Sequence, residues 1–146
     1  MSRPFRGVSS DCMPGKQMTL RALLAEYSEL PEFEGLELNF VNQKGRWDSA
    51  PLHIAIHRQR PKEAEILLEA GADPNAPGEY GERPLQIAVR RQRFDIVEML
   101  LRAGARCDLK DDNGTDAWWD AESVGAKQRL QEMEREIVQK INERDR

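Results

Sequence analysis

Apolar positions in this chain fall into short bursts separated by polar stretches that carry glycine or proline. The burst PLHIAI at 51–56 opens with a proline, tolerated at a first helical turn because the missing amide proton is one that a helix leaves unpaired anyway. The pattern predicts a helix from Pro51 to about Arg58, then a second from about Lys62 to Glu69 with Ala64, Ile66, Leu67 and Leu68 on its inner side. Pro84 opens another such pair, whose second helix, from about Asp95 to Arg102, buries Ile96, Val97, Leu100 and Leu101. Gly71 and Gly104 follow the second helix of each pair, where a left-handed residue ends a helix with least strain. Gly78-Glu79-Tyr80-Gly81 and Asp111-Asp112-Asn113-Gly114 are turn sequences. Over 126–146, Leu130, Met133, Ile137 and Ile141 form one narrow apolar stripe on a long charged helix. The pattern predicts an all-α chain.

The bursts repeat. PLHIA at 51–55 returns as PLQIA at 84–88, LLEAGAD at 67–73 as LLRAGAR at 100–106, and Arg58-Gln59-Arg60 as Arg91-Gln92-Arg93, all at an offset of 33 residues. One period shared by a helix start, a helix end and a turn means that one supersecondary unit was built twice. These blocks resemble the ankyrin repeat in length and in its TPLHxA signature, strongly over residues 45–116. The resemblance implies a solenoid of about four helix-turn-helix units with turn fingers. Its expected divisions are a disordered tail at 1–17, a degenerate N-terminal capping repeat at 18–44, repeats at 45–77 and 78–110, and a C-terminal capping repeat at 111–146. Asn42, 33 residues before Asn75, keeps the phase upstream, and TLRALLAEY at 19–27 is read as the first helix of the N-terminal cap. Trp118 shares the phase of Leu52 and Leu85, so it is expected in the core, with Trp118→Ala costing about 3 to 5 kcal/mol. Terminal repeats must be amphipathic, since one of their faces has no neighbour, and the stripe on the last helix is expected to lie on the last repeat.

Departures from the family pattern are informative. The threonine before the proline is Ala50, Arg83 and Asp116, of which only aspartate caps a helix, so the first two should each forgo about 1 kcal/mol. The glycine after the first helix is Gln59 and Gln92, and the histidine after it is Arg60 and Arg93.

Composition narrows the function. The chain is 39% hydrophobic and 33% charged with a formal net charge of −4, a balance that argues against general nucleic-acid binding. Cys12 and Cys107 are too few and too far apart for a disulfide framework, which suits a reducing cytoplasm. Arg3 and Arg6 precede no apolar leader segment, and no run approaches the length of a membrane span. Met13 and Met18 are alternative starts.

Chemistry is sparse. His53 and His57 lie four apart on one helix, but no glutamate follows His53 as a zinc hydrolase needs and no third ligand is evident. The resemblance instead implies hydrogen bonding within the repeat for His53. Nucleophile-elbow, P-loop and dinucleotide-binding motifs are absent, so no enzyme, cofactor or metal is expected. Arg58, Arg60, Arg90, Arg91 and Arg93 form a basic ridge, read either as compensation of helix dipoles or as a binding surface. Glu79, Glu82, Asp111, Asp112, Asp116 and Asp120 form an acidic rim beside it. Trp47 and Tyr80 share one phase at turn tips, either as contact anchors or as rings folded back on their own turns.

The resemblance implies a continuous concave surface for a protein partner. Carried over by phase, its positions are Lys44, Arg46, Trp47, Ser49, His57 and Arg58, then Pro77, Glu79, Tyr80, Glu82, Arg90 and Arg91, then Lys110, Asp112, Asn113 and Thr115. The expected function is a cytoplasmic protein-protein interaction module, monomeric when free and without affinity for nucleic acid or membranes. An inhibitor or immunity protein of a bacterial toxin is the favoured form. Alternatives are an adaptor or effector engaging a signalling or host protein, or a structural homodimer through the C-terminal helix.

Overall fold

A computed structural model describes residues 19–144, so the expected tail at 1–17 and Cys12 lie outside the described residues. Among the described residues there are seven α-helices and no strand: α1 (Leu20–Tyr27), α2 (Pro51–His57), α3 (Pro61–Glu69), α4 (Pro84–Arg90), α5 (Phe94–Arg102), α6 (Ala117–Ser123) and α7 (Lys127–Arg144). They pair as hairpins α2/α3, α4/α5 and α6/α7, and the hairpins stack in two layers. The first helices α2, α4 and α6 lie side by side, as do the second helices α3, α5 and α7.

The N-terminal helix departs from expectation. α1 packs beside α3, in the layer of second helices, so TLRALLAEY is not a first helix. The cause is Tyr27, fully buried, whose hydroxyl donates to Glu63 Oε1 at 2.6 Å and fastens the end of α1 to the start of α3. The chain then passes a single 3-10 turn, Pro31–Phe33, that buries Phe33. Gly45 lets this turn touch the first finger, because a Cβ there would lie 2.2 Å from the Glu32 carbonyl oxygen.

Neighbouring repeats are held in register by side chains that reach forward. Asn42 donates from Nδ2 to the Gly71 carbonyl (3.1 Å) and accepts the Asp73 amide (2.8 Å). Asn75 repeats this with Gly104 (3.2 Å) and Arg106 (2.8 Å). A second set starts at the third helical position of each first helix. His53 Nδ1 accepts the Ala50 amide (3.1 Å) while its Nε2 donates to the Ala76 carbonyl (2.8 Å). Gln86 accepts the Arg83 amide (2.9 Å) and donates to the Thr115 carbonyl (3.1 Å) and to Asp120 Oδ2 (3.2 Å). Ala50 and Arg83 offer no oxygen to the helix, so each cap is half formed, as the sequence predicts. Asp116 does cap α6, accepting the Trp119 amide at 3.0 Å.

At the C-terminus the stripe meets the stack: Leu130 and Ile137 are buried, Met133 packs against the core and Ile141 stays 38% exposed near the helix end. Arg129 lies over the Phe94 ring at 3.9 Å, tying α7 to α5. Trp118 packs against the core but is only partly buried, unlike Leu52 and Leu85 at the same phase, because no repeat among the described residues covers it. The predicted cost of its loss is corrected accordingly. Trp118→Ala is expected to lower unfolding free energy by about 2 kcal/mol and the exposed Trp119→Ala by under about 1 kcal/mol, measured by urea titration. Gln92, whose φ is 55°, should gain stability on replacement by glycine, visible as a higher melting temperature.

Candidate functional site

Each finger is a loop closed by one backbone hydrogen bond across four residues. Gly45 donates to Ser49 (2.9 Å), Gly78 to Glu82 (2.8 Å) and Asp111 to Thr115 (2.9 Å). In the first two fingers this closure encloses a 3-10 turn, Arg46–Asp48 and Glu79–Gly81, whose middle residue adopts left-handed backbone. Trp47 has φ 58° and Tyr80 φ 55°, a conformation that costs a bulky side chain about 1 to 2 kcal/mol. Neither ring folds back on its turn: Trp47 is 54% and Tyr80 71% exposed. The third finger carries Asn113 at this phase and is stiffened by Asp111, whose Oδ1 accepts the amides of Asn113 (2.9 Å) and Thr115 (3.1 Å).

Between the first two fingers and α2 lies a cleft of about 150 Å³. Six of the positions expected from sequence meet there, namely Trp47, Ser49, His57, Arg58, Glu79 and Glu82, and Glu32 joins them from the N-terminal 3-10 turn. Glu82 anchors a polar chain across three repeats. It lies 3.2 Å from His57 Nε2 and pairs with Arg90, whose Nε is 3.6 Å from Asp120 Oδ1. Burial, with Arg91 and Arg90 nearby, holds the His57 pKa below its ordinary value. Burial raises the Asp120 carboxyl, against the pull of Arg90 and Gln86.

The remaining expected positions separate into ties and tips. Lys44 donates from Nζ to the Pro77 carbonyl (2.8 Å), and the Lys110 carbonyl accepts from Arg83 (3.2 Å), so these three hold finger bases together. Thr115 turns onto Asp111, its hydroxyl 3.0 Å from Oδ2. Arg46 pairs with Glu34 at 3.4 Å. Asp112 is exposed and its amide donates to the Tyr80 carbonyl (2.9 Å), which joins the second finger to the third. Asn113 and Arg91 are exposed.

The basic ridge is largely neutralised from within. Arg60 pairs with Glu63 (3.1 Å), Arg93 with Asp95 (2.9 Å) and Arg90 with Glu82, while the Arg58 guanidinium lies over the Tyr27 ring at 6.0 Å. Among the described residues Arg91 is the one ridge arginine with neither an ion pair nor a ring. The partners Glu63 and Asp95 sit in the first turns of α3 and α5, next to the arginines that precede those helices. Sequence reasoning missed this pairing, and it missed Glu32, which lies in a segment that the period does not reach.

A family model described as ankyrin repeats, in three copies, matches residues 16–111. The chain belongs to the ankyrin-repeat family. Ankyrin repeats are protein-protein interaction modules, and the helix hairpins with fingers described above are their architecture. No curated protein matches the chain. Among the described residues of this ankyrin stack, no group of three or more His, Cys, Asp or Glu side chains is placed to hold a metal ion. Burial, with Glu134 and Asp108 nearby, pushes the Cys107 thiol up to about 12, so it stays protonated at neutral pH. No described helix is long and apolar enough to cross a membrane.

The signature histidine sets a pH dependence. Burial lowers the His53 pKa to about 4 from an ordinary 6.5, because its ring is enclosed and Gly78 presses on it so closely that a Cβ there would lie 2.8 Å away. A depressed imidazole binds its proton more readily in the unfolded chain. Its contribution is therefore full above about 6.5 and is lost as pH falls toward 4, a change of about 3 kcal/mol. Urea titrations across this window should show stability falling with pH. His53→Gln, which installs the side chain that already serves at position 86, should flatten that dependence.

Proposed function

We propose that this ankyrin stack binds a folded protein partner on its finger tips and on the exposed ends of α2 and α4, without catalysing a reaction. The observation that carries the reading is the pair of aromatic tips. Trp47 and Tyr80 are large, exposed and held in left-handed backbone, where a small polar residue would cost less. Strain of this kind persists where the surrounding structure enforces it, and aromatic residues lead the side chains that dominate binding energies. The other expected positions form the surroundings of these anchors: Ser49, His57, Arg58, Glu79 and Glu82 line the cleft, and Arg91, Asp112 and Asn113 lie exposed.

Charge argues for a basic partner surface. With most of the ridge arginines paired, Glu32 and Glu79 stand in the cleft without an ion pair among the described residues, and the whole chain carries −4. An acidic partner patch would meet little unmatched positive charge apart from Arg91. A toxin that acts on nucleic acid must carry a basic substrate face, so the inhibitor or immunity role fits this charge pattern. An adaptor or effector would use the same tips against a basic surface of a different protein.

The test is capture of partners from cell extract on immobilised chain, followed by titration of the captured protein with variants. Trp47→Ala and Tyr80→Ala should each weaken binding by about 2 kcal/mol through faster dissociation, with melting temperature held or raised. Glu79→Lys should slow association and reduce its sensitivity to salt. Unchanged affinity of the Trp47→Ala, Tyr80→Ala double variant would rule out the tips as the binding surface.

A further inference from the structure

α6 and α7 are the last described hairpin, and the outer face of that hairpin keeps apolar character. Four equivalent phases in the two preceding repeats hold Leu52 and Leu85, His53 and Gln86, Leu68 and Leu101, and Ala72 and Ala105, all buried or packed against the core. The last repeat places Trp118, Trp119 and Glu134 at the first three of those phases, while Val138, at the fourth by count, lies where α7 continues past the point at which the earlier second helices end. Trp119 is 56% and Val138 49% exposed. Trp118, Gln131, Glu134, Arg135 and Val138 line one open groove along α7.

Another finger is a poor occupant for this face. His53 and Gln86 each accept a cap amide and donate onward to a backbone carbonyl, that of Ala76 at the end of the same repeat or of Thr115 in the following one, whereas an indole donates only. The stripe of Leu130 and Ile137 is not available as a seam either, since it is already buried against the stack. What remains is a surface that complements itself. Gln131, Glu134, Arg135 and Val138, spaced three and four residues apart, share one face of α7, with Glu134 and Arg135 at its centre. Neither central charge has an ion pair among the described residues, although Glu134 also lies beside the Cys107 thiol. A second copy running antiparallel along this face brings each Glu134 opposite the other copy's Arg135, and each Val138 opposite the other copy's Gln131, at the edge of the groove that Trp118 bounds.

The geometry points to a two-fold dimer in which the open end of one stack seats on the same end of a second copy. This goes beyond the proposed binding function and is independent of it. The interface lies at the C-terminal end, the fingers are left free, and the assembly presents two sets of tips to its partners. It replaces the monomer expected from sequence and differs from a seam along the apolar stripe.

The test is mass in solution for the whole chain, by light scattering and sedimentation, from micromolar to submillimolar concentration. The expected result is twice 16.7 kDa, falling to a single chain for Val138→Glu with unchanged far-ultraviolet dichroism. Glu134→Arg and Arg135→Glu should each be monomeric alone, since each sets like charges against one another. Mixing these two variants should restore a dimer containing one of each. A monomeric parent chain at every concentration overturns the proposal, as do single variants that remain dimeric or a mixture that fails to associate. Trp47→Ala and Tyr80→Ala should leave the mass unchanged, which separates failure here from failure of the finger-tip reading.

Discussion

Helix hairpins of seven and nine residues have no core of their own, so each must be locked to the next before either is stable. The lock is polar as well as apolar. Asn42 and Asn75 each hold two backbone groups of the following repeat, Gln86 spans from its own cap to the next finger, and His53 from its cap to Ala76 just before the next finger. Because most of these bonds end on backbone atoms, they fix the spacing of the repeats without restricting which side chains the neighbour displays. The fingers can therefore vary at their tips while their bases stay in register.

That division also accounts for where strain is tolerated. Among the described residues other than glycine, left-handed backbone occurs at Trp47, Asp48, Gln59, Tyr80 and Gln92. Each lies in a short turn whose two ends are fastened by hydrogen bonds, as with Arg60 to the Ala55 carbonyl and Arg93 to that of Ala88 (2.9 and 3.0 Å). A turn closed on both sides leaves its middle residue little choice of conformation, and the cost is absorbed by the packing of the helices. Asp48 shows the point: it stands where Gly81 and Gly114 stand in the later fingers, and the loop closes the same way.

The period and its punctuation were legible in the sequence because they are local. Prolines at first turns, glycines after second helices and the apolar rows of α3 and α5 each declare their role within a few residues. What was not legible depends on neighbours. The layer of the first helix is not legible because a short amphipathic helix looks alike in either, and its place follows from contacts that include the burial of Leu23, Leu24 and Tyr27 and the Tyr27 bond to Glu63. The arginine ridge stays open in the sequence between helix-dipole compensation and a binding surface, because nothing in the spacing of Glu63 and Asp95 announces their pairing with Arg60 and Arg93. Glu32 entered the cleft from the one stretch that the period does not cover. Trp118 was at the right phase but lacked the neighbour that would have enclosed it.

Arg83 shows how a local loss becomes a property of the whole array. In place of a threonine cap it sends its guanidinium to the Asn75 carbonyl in the preceding repeat (2.9 Å) and to the Lys110 carbonyl at the end of its own (3.2 Å). Ala50, at the same position one repeat earlier, spans nothing, and the first two fingers are joined at this level by the flexible ammonium of Lys44. Coupling between units is thus uneven along the chain. In a linear array, the strength of each nearest-neighbour coupling sets the order in which units open.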